Sequence, residues 1–355
     1  MTKSALVIGG GIAGISAAAR LSDHIQVTVL EQEAHLAYHA SGRSAALFEP
    51  NYGNTAVKAL NRASAEYHQP YLTPRGFLLL GIARENDLFE KDLHDLGGSE
   101  ISPQEAQAMV PILNTDHITR ASFHDAAQDI DTDRMVQDFA KHVRANNGKV
   151  LTGQSVTSIV HHDNLWHVTT ETDTFHADLL INAAGPWVDE IAQLAGLDPI
   201  GITPLRRSMA RITAPGGHDV SKWPMFFGAG ETWYAKPDAG ALIVSPAEED
   251  PVAPMDAWPE DMILAEGLAR YQDFVTKDVT RPLSTWAGLR SFAPDRSLVL
   301  GQDPDMPTFI WCAGQGGYGF QTAPAASQLV ADLALGRPPE LRAEEIATFD
   351  PGRFR

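Results

Sequence analysis

The sequence predicts an α/β chain, α+β overall: a discontinuous parallel-sheet domain with a mostly antiparallel β-sheet domain inserted into it. Three observations carry this. Short apolar runs at residues 5–8, 179–181 and 309–313 read as strands buried on both faces. Glycine-rich turns that open helices follow the first and the last of them. Between them lie shorter strand-like runs punctuated by Pro and Gly, as antiparallel sheets have.

The N-terminal unit defines the first domain. Residues 5–8 run into Gly9-x-Gly11-x-x-Gly14, a helix-like stretch follows over 16–21, and an apolar run over 25–30 ends at Glu31. This is the order of a Rossmann-like dinucleotide site. Gly9 allows the tight turn, Gly11 lets backbone approach a pyrophosphate at the helix N-terminus, Gly14 lets helix and strand pack closely, and Glu31 accepts hydrogen bonds from a ribose. Residues 39–46 are small and hydroxyl-bearing around Arg43, a composition that brings backbone N–H groups and a guanidinium to a phosphate.

Residues 54–68 have apolar side chains at helical spacing, 76–81 reads as a buried strand, and helices are expected over 85–96 and 103–109, the second capped by Ser102. Asp129, Asp131 and Asp133 lead into a helix over 135–146; the glycine and distal glutamate of a calcium loop are missing, so no metal is expected. Short strands follow over 150–175. Residues 177–187 return to the first domain as a buried strand ending in Ala183, Ala184 and Gly185, at the sheet edge where ligands sit. From 202 to 290, strand-like runs at 209–213, 232–235 and 241–244 surround a helix over 259–277. Residues 309–313 then enter a second glycine-rich turn, 314–319, followed by a helix expected over 325–335; its backbone donors and dipole suit something negative or electron-rich. The first domain is expected to comprise 1–50, 128–200 and 291–355, the second 51–127 and 201–290.

The net charge of −18 over 355 residues disfavours nucleic acid and anionic lipid as partners. One cysteine, Cys312, excludes a disulfide framework or a thiolate metal cluster. No apolar run approaches the ~18 residues of a membrane span, and no basic leader precedes the first strand, so a cytoplasmic location is expected. Arg290 lies in the apolar context Gly288-Leu289-Arg290-Ser291-Phe292; a buried arginine needs an anion, which favours ligand binding. Arg206 and Arg207, read alone, are ordinary strand-surface arginines.

These motifs stand in a particular order: Gly9 to Gly14, Tyr38 to Ala46, Asp129 to Asp133, Asn182-Ala183-Ala184-Gly185, Arg206-Arg207-Ser208, Tyr234-x-Lys236-Pro237-Asp238-Ala239-Gly240, Trp286 to Phe292, and Gln315 to Thr322. In this the chain resembles the FAD-dependent amine oxidoreductases of the D-amino-acid oxidase superfamily over nearly its whole length. Within the superfamily it is most similar to the bacterial D-arginine dehydrogenases. The resemblance implies FAD contacts at Gly9, Gly11, Ile12, Ala13, Gly14, Glu31 and Gln32, at Ser41, Arg43, Ser44, Ala45 and Ala46, and at Ala184 and Gly185. Val156 would meet the adenine side through its backbone. Gly288, Arg290, Gly316, Gly317, Tyr318, Gly319, Gln321 and Thr322 would lie near the isoalloxazine. Arg207 and Arg290 would bind a substrate carboxylate, helped by Tyr52 and Tyr234, with Gly317 in the same catalytic group; paired guanidinium donors suit a planar carboxylate. Leu47, Phe77, Met225, Phe227 and Gly288 would line the substrate pocket.

Two positions depart from those dehydrogenases, which have a histidine where this chain has Leu47 and a glutamate where it has Phe77. The expectation is therefore a neutral, apolar D-amino acid, oxidised by hydride transfer to flavin N5 and released as 2-oxo acid and ammonia. Glu49, close by in sequence, is an acid that this reading leaves out. Cys312 does not match the cysteine that holds flavin in sarcosine oxidase-type relatives, so non-covalent FAD is expected. An N-methyl or cyclic amino acid of the sarcosine or D-proline type, or a 2-hydroxy acid, is the alternative substrate. A non-catalytic dinucleotide-binding protein would have no use for the two arginines and two tyrosines. The electron acceptor, whether quinone, another carrier or oxygen, is left open.

Overall fold

The computed structural model describes residues 3–279 and 281–355. Its first sheet has six strands. Ser4–Ile8 lies at the centre, parallel to Gln26–Leu30 on one side and to Leu179–Asn182 on the other. Lys149–Leu151 extends it beyond the first, Phe309–Ala313 beyond the second, and Val299–Gln302 closes the edge antiparallel. Side-chain alternation explains its two layers. Val7, Val29, Ile181 and Ile310 pack against the helices Ile12–Ser22, Thr132–Ala145 and Gly319–Leu335. Leu6, Ile8, Leu30, Leu180 and Trp311 pack against a three-stranded antiparallel sheet and the helix Val188–Leu194. With both faces covered, the strands read as unbroken apolar runs.

The second sheet has nine strands drawn from residues 77–124 and 203–292. Its longest pairing runs between Thr203–Thr213 and Ser284–Phe292, far longer than the 209–213 run the sequence suggests, because the chain stays extended through Pro204 and the basic residues. The last helix also starts earlier than expected, at Gly319. Pro324 lies inside it and removes only the bond to the carbonyl of Phe320, so the proline does not set the helix start. The aspartates at 129–133 have structural work. Asp131 caps the helix Thr132–Ala145 through Arg134 N–H, while Asp129 bonds the Arg75 and Lys236 side chains.

Register decides what the second sheet presents to the first. Phe77 pairs with His124 on one neighbour and Met225 on the other; Phe227 pairs with Tyr234; Arg207 pairs with Gly288, two residues before Arg290. Paired and alternate residues share a face. His124, Phe77, Met225, Phe227, Tyr234, Arg207, Gly288 and Arg290 therefore belong to one face. Arg206 points the other way, to Glu260 and Asp250.

Candidate active site

A cavity lies between the carboxyl ends of the parallel strands and this face of the antiparallel sheet. At one end the first glycine turn opens it. Gly9 has φ +107, and a Cβ there would come within 2.3 Å of the Ala183 carbonyl oxygen; one on Gly14 would come within 1.9 Å of the Gly9 carbonyl oxygen. No other residue fits either position. Gly11 caps the helix Ile12–Ser22, and Ser41 Oγ accepts from the Ile12 N–H at 3.0 Å. Glu31 is buried beside the turn, its Oε2 taking the Gly10 N–H at 2.6 Å and its Oε1 the Glu33 N–H at 2.8 Å, so each oxygen keeps a lone pair. Burial raises its pKa against those N–H bonds and His39.

The cavity continues along Ser41 to Leu47, past Gly185, to Gly316, Gly317, Gly319 and Gln321 at the second glycine turn. Lys236 fixes the segment between: its Nζ donates to the Ala45 and Ala46 carbonyls at 2.8 and 3.0 Å and pairs with Asp129 at 2.8 Å. Arg43 also lines the cavity, but its guanidinium bonds the Ala257 and Ala287 carbonyls and Asp256, which leaves no free fork for a phosphate. Its work is to tie this segment to the strand Ser284–Phe292.

At the other end stand the arginines. Arg290 donates from Nη1 to Glu249 at 3.1 Å and from Nη2 to the Tyr52 hydroxyl at 3.1 Å; Tyr52 in turn donates to Glu231 at 3.2 Å. Burial opposes the charge of Arg290, but Tyr52, Glu231 and Glu249 more than offset it and keep it protonated. A Cβ on Gly317 would lie 1.6 Å from Arg290 Nη2, so the missing side chain makes room for the guanidinium. Arg207 uses Nε on the Glu248 carbonyl and Nη2 on Glu249, and Arg296 also donates to Glu249. Tyr234 lines the cavity, but its hydroxyl meets Met209 Sδ rather than an arginine.

Leu47, Phe77, Met225 and Phe227 form an apolar wall, with Phe77 stacked on Phe227 at 4.4 Å between centroids. The wall is not wholly apolar. Glu49 and Glu231 line the same cavity, and Glu249 holds the arginines. Glu231 ends the short helical turn Ala229–Glu231 with left-handed backbone (φ 51), and Glu249 lies in the irregular stretch between two strands, two residues after left-handed Ala247 (φ 56); no sequence period marks either. Glu49 carries a weak signal: a single acid in the apolar stretch Leu47-Phe48-Glu49-Pro50.

Several expected contacts lie outside the cavity lining. Gly9, Gly14, Glu31 and Ala184 form the walls of the first turn or lie beside it. Gln32 is exposed, and Val156 is half-buried on the edge of the three-stranded sheet. Tyr318 packs edge-on to Tyr52 and Phe292, and Thr322 is fully buried, its hydroxyl on the Tyr318 carbonyl. Cys312 is buried with its S–H on the Ala13 carbonyl, and burial pushes the thiol up to about 12, so it is an inert packing residue.

A dinucleotide cradle at a parallel-sheet edge, facing an arginine-bearing antiparallel sheet, has the layout of a dinucleotide-dependent enzyme with an anion-binding substrate site. The chain matches the family described as "FAD dependent oxidoreductase" over residues 4–333 and belongs to it. The residues present fit the group: the two glycine turns leave a continuous channel at helix N-termini. FAD is the cofactor. The chain is similar to N-methyl-L-tryptophan oxidase of Salmonella agona, 24% identical over 58% of this chain and 55% of that protein. It thus spans about half the length of that relative. The fold is that of L-proline dehydrogenase from P. horikoshii, with TM-score 0.83, 24% identity, and 99% and 98% of the two chains covered. Glycine oxidase from Geobacillus kaustophilus superposes with TM-score 0.81 at 18% identity over 98% of each chain. The resemblance noted from the motifs is thereby placed at the level of this family, since these relatives are not D-arginine dehydrogenases. Among the described residues no helix is long and apolar enough to cross a membrane.

Proposed function

We propose that the protein oxidises the Cα–N bond of a D-amino acid to the imino acid, which water converts to a 2-oxo acid and ammonia. The observation that carries this is the convergence of Arg207, Arg290 and Tyr52 at the end of the cavity beside the second glycine turn. Paired guanidinium groups suit a carboxylate, and Glu231, bonded through Tyr52 to Arg290, suits an ammonium or a proton leaving it. In this reading Gly9, Gly11, Gly14 and Glu31 hold the ADP half of FAD, and 41–46 and 316–322 flank the rest. Val156 and Gln32 contribute at most through their backbone. When bound, the flavin supplies the two-electron acceptor. A neutral amine that loses hydride becomes an iminium directly, so the chain's task is to orient Cα and exclude water rather than to supply a strong base.

The preference for D-amino acids rests on the motif order that resembles D-arginine dehydrogenases. The printed names of N-methyl-L-tryptophan oxidase and L-proline dehydrogenase favour a second reading, a secondary-amine amino acid on the same site. Both are tested by reducing the purified yellow protein anaerobically with D-, L-, N-methyl, cyclic and 2-hydroxy acids and following flavin bleaching. Bleaching fastest with primary D-amino acids supports the first reading. Bleaching fastest with N-methyl or cyclic acids replaces it with the second, and bleaching with none refutes both.

A further inference from the structure

The amino-acid pocket of the proposed function ends in a buried acid with one oxygen that no hydrogen bond in the protein satisfies. Glu49 is 2% exposed and lines the cavity. Its backbone N–H donates to Gln321, its carbonyl accepts from Tyr52 N–H and Asn61, and its Oε1 accepts from Asn51 N–H at 3.0 Å. Its Oε2 has no hydrogen-bond partner. His124 Nε2 stands 3.3 Å from it, outside hydrogen-bonding alignment, and is itself unpartnered. Buried carboxylates are almost always satisfied, because an open oxygen forfeits its hydration without return. Burial pushes the Glu49 carboxyl up to about 7 against its bond from Asn51 and the pull of Lys58, and burial also lowers His124.

The geometry points to Glu49, backed by His124, as the subsite for the far end of the substrate side chain, selecting one that ends in an N–H donor of the alkylammonium class. Placement supports it. His124 pairs with Phe77 across the sheet and its ring lies 5.6 Å from that ring. Leu47, Phe77 and Tyr52 belong to one apolar cluster, and Tyr52 also bonds Arg290. A substrate whose carboxylate sits at Arg290 would pass its methylenes along this cluster before reaching Glu49. Methylenes suit the wall and an ammonium suits the open oxygen. This replaces the wholly apolar specificity suggested by Leu47 and Phe77. It rests on the proposal that the arginines hold the substrate carboxylate.

The test separates binding from turnover. 6-Aminohexanoate and hexanoate share a carboxylate and methylene chain, differ by a terminal ammonium, and have no Cα–N bond to oxidise. Titrated against the FAD-loaded protein by flavin absorbance, 6-aminohexanoate should bind at least ~10-fold tighter. Glu49→Leu should erase or invert that ratio, and Glu49→Gln should reduce it. With substrates, D-lysine should exceed D-norleucine in kcat/KM through KM, with the same response to Glu49→Leu. Hexanoate binding as tightly as its amino analogue in the wild type overturns the inference even if no variant folds. So does an unchanged ratio in Glu49→Leu. Discrimination between the two acids without oxidation of any amino acid leaves the subsite standing and refutes the oxidation reading instead.

Discussion

Arg290→Met is the most direct perturbation of the site. Methionine keeps an apolar stem of similar length and removes the guanidinium. In the structure that group gives one N–H to Glu249 and one to Tyr52, both at 3.1 Å, and occupies the space that a side chain on Gly317 would take. Loss of a buried charge-assisted contact to a substrate carboxylate should cost about 2–5 kcal/mol, or ~30- to several thousand-fold in kcat/KM. The fold should tolerate the change, because Glu249 keeps Arg207 and Arg296 and Tyr52 keeps Glu231. Arg207→Met should cost less, since Arg290, and not Arg207, stands against Gly317 of the second glycine turn and bonds Tyr52. Arg290→Lys should fall between, keeping the charge but not the fork. Rapid-mixing measurement of flavin reduction against substrate concentration reads the loss, and the flavin-to-protein absorbance ratio checks that FAD is retained. A decarboxylated amine should be as poor with the variant as with the wild type. Near-normal efficiency of Arg290→Met on an amino acid, or a larger loss in Arg207→Met, would show that the carboxylate is anchored elsewhere.

Three further outcomes follow from the charges around the cavity. Glu249 occupies the arginine donors that a substrate carboxylate needs, so Glu249→Gln should lower KM and the inhibition constant of acetate roughly 5- to 50-fold; a rise in both would mean that Glu249 instead orients the arginines. Lys236→Met should lower stability by up to about 3 kcal/mol, the low end for breaking a buried pair because Asp129 keeps Arg75, and should loosen FAD by freeing Ala45 and Ala46; an unchanged melting temperature and FAD affinity would refute this. Glu49 holds its proton up to about 7 in the fold against an ordinary 4.5, so the folded state binds more protons and wild-type stability should fall between those values as pH rises, by about 3 kcal/mol. Glu49→Gln lacks that fall: in urea titrations the two proteins should match near pH 4 and diverge in favour of the variant by pH 8.

The parts of the site that sequence reveals are those where backbone chemistry dictates residue type. Gly9 and Gly14 are legible because a Cβ would strike a carbonyl at either position. Arg290 is legible because a guanidinium in an apolar strand needs an anion, and it has two oxygen partners in place. Arg207 is different. Two adjacent arginines on a strand face opposite ways, and only the pairing of Arg207 with Gly288 turns one of them to the cavity and leaves Arg206 with Glu260 outside. The Arg43 guanidinium, which composition assigned to a phosphate, is claimed by carbonyls contributed from residues 257 and 287, more than two hundred positions away. Long-range partners of that kind leave no local trace.

The acids matter more than their number suggests, because they set what kind of molecule the cavity accepts. Arg207, Arg290 and Arg296 share Glu249, and Glu231 is bonded through Tyr52 to Arg290. The site thus carries its own counter-ions. A carboxylate ligand would exchange with Glu249 at the arginines rather than meet a bare positive patch, which makes anion binding modest and reversible. A 2-hydroxy acid would bring only that negative charge and leave Glu231 facing nothing new. An amino acid would bring an ammonium with it, and Glu231, bonded only through Tyr52, would then contribute to its recognition while Glu249 yields its place at the arginines. Selection of amino acids over hydroxy acids is therefore expected from this balance of charge, independently of how the side chain is read, and Glu231→Gln should narrow that preference while leaving the choice between D-lysine and D-norleucine to Glu49.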